Sequence, residues 1–143
     1  MEKERLKRYL AKLGLAEERL NDIEEWVKEL TPKQFIEDKK TRLATYKAFQ
    51  EVVEACADIC AMMLKDSKLL INDDYTNIEK LAEKRIITRS IADCLKEANG
   101  LRNRLIHEYN GLSTSIAFES IISLIPKLRE FCKGVKDWLS YQN

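Results

Sequence analysis

The chain has 143 residues, of which 45% are hydrophobic and 34% charged, and its formal net charge is +1. This length and apolar content suit one domain with a real core, predicted over residues 1–143, while the near-neutral charge excludes a strong general attraction to nucleic acid. No apolar run reaches membrane-spanning length, and the charged first ten residues lack the apolar segment of a signal peptide. We therefore expect a cytoplasmic protein without a membrane partner.

Turn-forming residues are scarce, with four glycines and two prolines, which predicts long helices joined by short loops. Apolar residues at spacings of three, four and seven predict an amphipathic helix over residues 2–30. Thr31 and Pro32 then read as an N-cap followed by proline at the first helical position, and they start a helix predicted over 33–65. Within it, residues 55–64 are almost all small or apolar. This indicates burial against two partners, of which one could be another subunit.

A turn-forming cluster of asparagine and aspartate follows, and a short helix is predicted after it, capped by Thr76 or Asn77. The next helix is predicted over 88–98. Its end is placed at Asn99 and Gly100, because this dipeptide is typical of helix C-termini.

The dipeptide of Asn110 and Gly111 marks another break, and Ser113 or Thr114 can cap a final helix over 114–140. No stretch of the sequence alternates between apolar and polar residues with a period of two, as a half-buried strand would. The predicted fold is therefore all-α, an up-and-down bundle of four or five helices.

The four cysteines contain no C-x-x-C pair, and the single histidine of the chain offers little to complete a zinc site. We expect four buried free thiols, which fits a reducing compartment, and no bound metal. The four are Cys56, Cys60, Cys94 and Cys132.

The single histidine, His107, lies in a polar segment between Gly100 and Gly111. That segment reads Arg102-Asn103-Arg104-Leu105-Ile106-His107-Glu108-Tyr109. On a straight helix, Arg102 and His107 would be about 140° apart around the axis. Their convergence needs either a bend, which the flanking glycines could supply, or the matching residues of a second copy. Taken alone, a single histidine is more often structural or on the surface than catalytic.

The pattern Arg-x4-His-x-Tyr, with asparagine directly after the arginine, resembles the motif of HEPN domains. It is most similar to that of the HepT-like toxins, which are encoded beside a minimal nucleotidyltransferase antitoxin. The similarity extends to the order of the elements, since two long helices and a short helical region precede the motif and a final helix follows it. The resemblance covers most of the chain and implies a HEPN-like homodimer.

The resemblance implies a metal-independent ribonuclease without a cofactor, in which the motif of each subunit lines one shared cleft. Arg102 matches the motif arginine, His107 its histidine, and Asn103 the polar residue after the arginine. Tyr109 matches the tyrosine that accepts AMP when the antitoxin silences the nuclease. The implied partners are an RNA substrate, a second copy of the chain and a nucleotidyltransferase antitoxin.

These residue types suit RNA cleavage because RNA carries its own nucleophile, the ribose 2′-hydroxyl. Histidine can accept and donate a proton near neutral pH, and arginine presents a planar fork of donors that matches phosphate oxygens. We hypothesise that His107 is the general acid or base, that Arg102 stabilises the phosphorane, and that Asn103 positions them. The expected product is a 2′,3′-cyclic phosphate.

Two alternatives stay open at this stage. A non-catalytic HEPN module could bind nucleotide or RNA in the same cleft, and a purely helical interaction protein could dock a partner through the apolar residues 48–64. Outside the motif, basic residues are interleaved with acidic ones, which is typical of an ordinary solvated face. These basic residues are Lys84, Arg85, Arg89 and Lys96.

Overall fold

A computed structural model describes residues 1–107 and 113–142 of the chain. These residues form six α-helices and no strand, so the prediction of an all-α bundle is confirmed. The helices are α1 (Lys3–Val27), α2 (Pro32–Glu37), α3 (Lys39–Asp66), α4 (Asp74–Glu83), α5 (Arg89–His107) and α6 (Thr114–Ser140). No helix within the described ranges is both long and apolar enough to cross a bilayer.

The helix predicted over 33–65 is in fact two helices, α2 and α3, because Asp38 interrupts it. Thr31 caps α2 as predicted. Its hydroxyl oxygen accepts the backbone N–H of Gln34, and the side-chain oxygen of Gln34 accepts the backbone N–H of Thr31. Asp38 adopts φ −100° and ψ 85°, and its carboxylate accepts the backbone N–H of Thr41 at 3.0 Å. An aspartate that bonds the backbone locally in this way favours a helix start over a helix interior.

Helices α1 and α3 pack against each other in antiparallel register along most of their length. Three ion pairs join the two helices along their length. From one pair to the next, the residue number increases in α1 and decreases in α3, as it does between antiparallel helices. The pairs are Arg5–Asp66 at 2.6 Å, Lys12–Asp58 at 2.7 Å and Arg19–Glu51 at 2.7 Å. The hydroxyl of Tyr9 also donates to Asp66 at 2.7 Å.

The apolar residues 55–64 of α3 are covered by this chain's own helices. Helix α3 packs against α1 on one side and against α4 and α5 on the other, so burial on several sides needs no second subunit at this place. The buried members of the stretch are Ala55, Cys56, Ile59, Cys60, Met63 and Leu64.

The predicted cap of α4 was wrong. Asp73 caps this helix, since its carboxylate accepts the backbone N–H of Thr76 at 2.9 Å. Asn77 is buried instead, and its side-chain oxygen accepts the backbone N–H of Asn72 at 2.7 Å. The amide therefore ties the preceding turn to α4.

The predicted helix end at Asn99 and Gly100 was also wrong, because α5 continues through both residues to His107. A glycine inside a helix costs about 1 kcal/mol relative to alanine. Burying the side chain of Leu101, which is fully covered, stabilises the helix by about 1.5–3 kcal/mol. The burial of Leu101 thus stabilises α5 by more than Gly100 destabilises it.

All four cysteines are buried and free, as predicted. Burial raises the pKa of the Cys60 thiol to about 12 and that of the Cys94 thiol to about 11. Both thiols are therefore protonated at neutral pH and act as small apolar side chains rather than as nucleophiles.

Candidate active site around Arg102

Arg102 lies in the C-terminal part of α5 and is held by two amides of the same helix. Its Nη2 donates to Asn99 Oδ1 at 2.8 Å, and its Nε donates to Asn103 Oδ1 at 2.9 Å. The side chain is only 13% exposed. The two amides therefore fix the plane of the guanidinium before any ligand arrives.

Two carboxylates from other helices face the same guanidinium. Glu54 of α3 places Oε1 3.9 Å from Nη1 of Arg102, and Asp74 of α4 places Oδ2 3.7 Å from Nη2. Both distances are longer than a hydrogen bond, so these are ion pairs without direct donation. One positive charge therefore faces two negative charges, and both carboxylates remain more than a third exposed to solvent.

Asn99 belongs to this site, although its sequence context predicted a helix end instead. It is 8% exposed, and it lines a narrow internal space beside Cys56 and Cys60 of α3. A buried side-chain amide needs a partner, and Arg102, three residues later, supplies it. The spacing Asn-x-x-Arg within an apolar helical stretch was the signal that could have revealed this contact.

Glu54 and Asp74 carried no such signal. They are 48 and 28 residues before Arg102 in the sequence and reach it only because α3, α4 and α5 pack together. Nothing in the local pattern of α3 or α4 distinguishes these carboxylates from the other exposed acidic residues.

The structure brings Arg102 together with Asn103 but not with His107. His107 is the last residue of α5 and is exposed, and within the described residues it makes no hydrogen bond or ion pair with Arg102. Because α5 runs unbroken through Gly100, the two side chains stay about 140° apart around the axis. Helix α5 passes through Gly100 without a break, and Gly111, the other glycine expected to help a bend, lies outside the described residues. Tyr109 lies outside the described residues.

An aromatic and ionic cluster adjoins the site on α4 and α5. Glu79 accepts two hydrogen bonds from Arg89, at 2.7 and 2.8 Å, and also pairs with Lys96. These interactions lower the pKa of Glu79 to about 2, and the hydrogen bonds from Arg89 contribute more to the shift than the one from Lys96. The ammonium of Lys96 lies 5.1 Å from the ring centroid of Tyr75, which follows Asp74 directly in α4. The cluster is therefore connected to the surroundings of Arg102 through α4, in which Tyr75 directly follows Asp74.

Known proteins resemble this chain in sequence over most of its length. The family model "HepT-like: Ribonuclease HepT-like" matches residues 16–135. A candidate RNase of Archaeoglobus fulgidus is 35% identical over 138 residues, which cover 94% of this chain and 96% of that protein. The "tRNA nuclease HepT" of Aphanizomenon flos-aquae is 28% identical over 108 residues, covering 73% of this chain and 72% of that protein.

The fold resembles a solved structure of a tri-AMPylated Shewanella oneidensis HEPN toxin in complex with an MNT antitoxin. The TM-score is 0.85 at 22% identity, and the alignment covers 96% of this chain and 99% of that one. The predicted HEPN-like arrangement of the helices is thereby confirmed.

Proposed function

Because the chain belongs to the HepT-like ribonuclease family, we propose that it is a metal-independent endoribonuclease toxin that acts as a homodimer. The observation that supports this most directly is the guanidinium of Arg102, fixed by two amides of α5 and only partly neutralised by Glu54 and Asp74. A preorganised cation of this kind can stabilise negative charge as it grows on a phosphate. Archaeal and bacterial relatives named as RNases and as a tRNA nuclease support RNA as the substrate.

The proposed reaction uses only groups of the RNA and of the protein. The ribose 2′-oxygen forms a bond to the adjacent phosphorus, the bond from phosphorus to the 5′-oxygen breaks, and a 2′,3′-cyclic phosphate and a 5′-hydroxyl result. One His107 accepts the proton of the 2′-hydroxyl, while a second imidazole protonates the departing 5′-oxygen. Arg102 stabilises the phosphorane between these steps, and Asn103 holds the arginine in its plane.

The geometry of α5 and the count of histidines support the proposal of a homodimer. Arg102 and His107 diverge within one protomer, and one histidine per chain cannot serve as base and acid at the same time. Two copies that share a cleft supply both imidazoles, and each imidazole can lie near the arginine of the other copy. Ile106 and Ile116, on either side of residues 108–112, expose apolar surface that such a partner would cover.

The experiment is a cleavage assay with a structured RNA in excess EDTA. We expect wild-type protein to cut and to leave cyclic phosphate ends, and Arg102→Ala and His107→Ala to lose roughly a hundredfold or more of the rate. Arg104→Ala removes the same charge from an exposed position nearby and is the matched control, expected to retain the rate. Full cleavage by His107→Ala would refute the mechanism, and intact RNA binding without any cleavage would favour a non-catalytic HEPN module.

Regulation by a nucleotidyltransferase antitoxin is the second part of the proposal. The phenolic oxygen of Tyr109 would attack the α-phosphorus of ATP, release pyrophosphate and lose its proton, leaving AMP on the tyrosine. The added bulk and negative charge would repel RNA phosphate from the cleft. The modified and antitoxin-bound state of the Shewanella oneidensis HEPN toxin supports this step.

Mass spectrometry tests the modification after incubation with ATP and a partner nucleotidyltransferase. We expect a mass increase of one or more AMP groups on the segment that contains Tyr109, together with loss of cleavage. Tyr109→Phe should stay unmodified at this position and remain active in the presence of the partner. AMP found only on Tyr141, an exposed tyrosine after the end of α6, would contradict the assignment.

A further inference from the structure

Tyr75 is an exposed aromatic residue directly beside the candidate site. It is the second residue of α4 and 55% exposed, and it follows Asp74, whose carboxylate lies 3.7 Å from the guanidinium of Arg102. The reaction proposed above makes no use of it. More than half of this aromatic side chain is therefore accessible to a ligand.

The ring is held in place by a cation that is itself fixed. Lys96 Nζ lies 5.1 Å from the ring centroid and pairs with Glu79, which Arg89 holds through two hydrogen bonds. Lys96 is largely covered, at 17% exposed, whereas more than half of Tyr75 faces solvent. The contact therefore orders the aromatic ring without hiding it.

Lys96 also belongs to a polar face of α5 that leads to the histidine. At 100° per residue, Lys96, Asn103 and His107 lie within about 40° of one another on α5, and the rise from Lys96 to His107 is roughly 16 Å. A single strand of RNA spans this length with roughly two to five nucleotides, depending on how far it is stretched. The ring of Tyr75 thus lies within reach of a strand whose phosphate is at His107.

We propose that Tyr75 is a stacking platform for a nucleobase of single-stranded RNA that lies along the Lys96–Asn103–His107 face of α5. This inference rests on the proposed function and names how its substrate is held. The net charge of the chain is only +1, and Arg89, Lys96 and Arg102 each face a carboxylate, so the general electrostatic attraction of an RNA strand is weak, even though Arg102 keeps donors for one phosphate. Affinity for RNA then has to come largely from bases, and every base offers a π-face to an exposed aromatic ring.

The test measures binding of a fluorescent single-stranded 2′-O-methyl RNA, which cannot be cleaved, by fluorescence anisotropy. We expect Tyr75→Ala to raise Kd by roughly 5- to 150-fold, and Tyr75→Phe and Tyr75→Trp to retain binding. Tyr141→Ala is the matched control, because Tyr141 is 82% exposed at the end of α6 and should not matter. The slope of log K against log salt should be unchanged in Tyr75→Ala, since stacking releases no counterions. Equal melting temperatures establish that the variants fold alike.

The outcomes separate the platform from the nuclease. A Kd of Tyr75→Ala equal to that of wild type or of Tyr141→Ala overturns the platform, as does wild type that fails to bind the strand. If cleavage of unmodified RNA depends on Arg102 and His107 while Tyr75→Ala keeps the wild-type KM, the stacking role of Tyr75 is refuted and the ribonuclease proposal is supported. If binding depends on Tyr75 but no RNA is cut, the stacking role of Tyr75 is supported and the ribonuclease proposal is refuted.

Discussion

Arg102 combines a nearly covered side chain with a charge that is only partly neutralised. Asn99 and Asn103 fix its plane through neutral acceptors, and neither of them removes its charge. Glu54 and Asp74 approach to 3.9 and 3.7 Å, outside hydrogen-bond distance and partly in solvent. An arginine held in this way is positioned by its own helix and keeps donor capacity for an incoming phosphate.

Removing a carboxylate should strengthen the interaction of Arg102 with phosphate. An exposed ion pair is worth at most about 1 kcal/mol, which corresponds to about fivefold in affinity. We therefore expect Asp74→Asn and Glu54→Gln each to lower the Kd for a non-cleavable RNA by up to about fivefold. The measurement is anisotropy at low and at high salt, and the gain should shrink at high salt.

Asp137→Asn supplies the comparison for this prediction. Asp137 is an exposed aspartate of α6, and the substitution changes the net charge by the same amount. An equal gain in affinity for Asp137→Asn would show that net charge alone is responsible, and that the two carboxylates have no specific relation to Arg102.

At the scale of one element, α5 carries most of the candidate site. It supplies Asn99, Arg102, Asn103 and His107, and it also supplies Lys96 to the neighbouring cluster. Gly100 lies in the middle of this helix, and a methyl group added at its Cα would meet no atom of the other described residues within 4 Å. The glycine is therefore not required for close packing, and a helical backbone does not need its freedom either.

Gly100→Ala should consequently stabilise the protein by about 0.5–1 kcal/mol, because alanine restricts the unfolded chain and fits the helix. This corresponds to a rise in Tm of roughly 2–6 °C, measurable by circular dichroism. Gly134→Ala, at an equally open helical position of α6, should give a similar rise. A fall in Tm for Gly100→Ala alone would indicate that the helix ends at Asn99 and Gly100 after all.

At the scale of the whole molecule, the bundle leaves Arg102 and His107 on different sides of α5. The proposed shared cleft requires two copies, whereas α1 packs against both α3 and α6 of its own chain. Exposed apolar residues occur on several helices, such as Leu10 of α1 and Leu43 of α3, and Ile106 and Ile116 are two that lie close to the motif in the sequence. The dimer is thus expected to form at the motif end of α5 and α6.

Subunit mixing tests whether both copies contribute to one cleft. If each cleft needs two histidines, wild-type protein equilibrated with a tenfold excess of His107→Ala should keep about one eleventh of its activity, because most wild-type subunits acquire an inactive partner. Independent protomers would keep full activity under the same conditions. Sedimentation establishes that the particles are dimers, and co-purification of an untagged subunit with a tagged one establishes that exchange has occurred.

Local signals in the sequence were sufficient for the helical class, the start of α2 at Thr31, the bounds of α6 and the burial of the cysteines. These signals are apolar spacing, caps and residue type, which act over one or two helical turns. The extent of one domain over 1–143, the cytoplasmic location and the roles of Arg102, Asn103, His107 and Tyr109 stay predictions.

Packing between helices was needed to establish that α5 passes through Asn99 and Gly100 and that Glu54 and Asp74 meet Arg102. The burial of Leu101 stabilises α5 more than the glycine destabilises it, and a local pattern does not contain that comparison. Contacts between side chains that are 28 and 48 residues apart exist only after the helices have packed. The environment of Arg102 is therefore a property of the assembled bundle, whereas its choice as a candidate came from the resemblance of its motif.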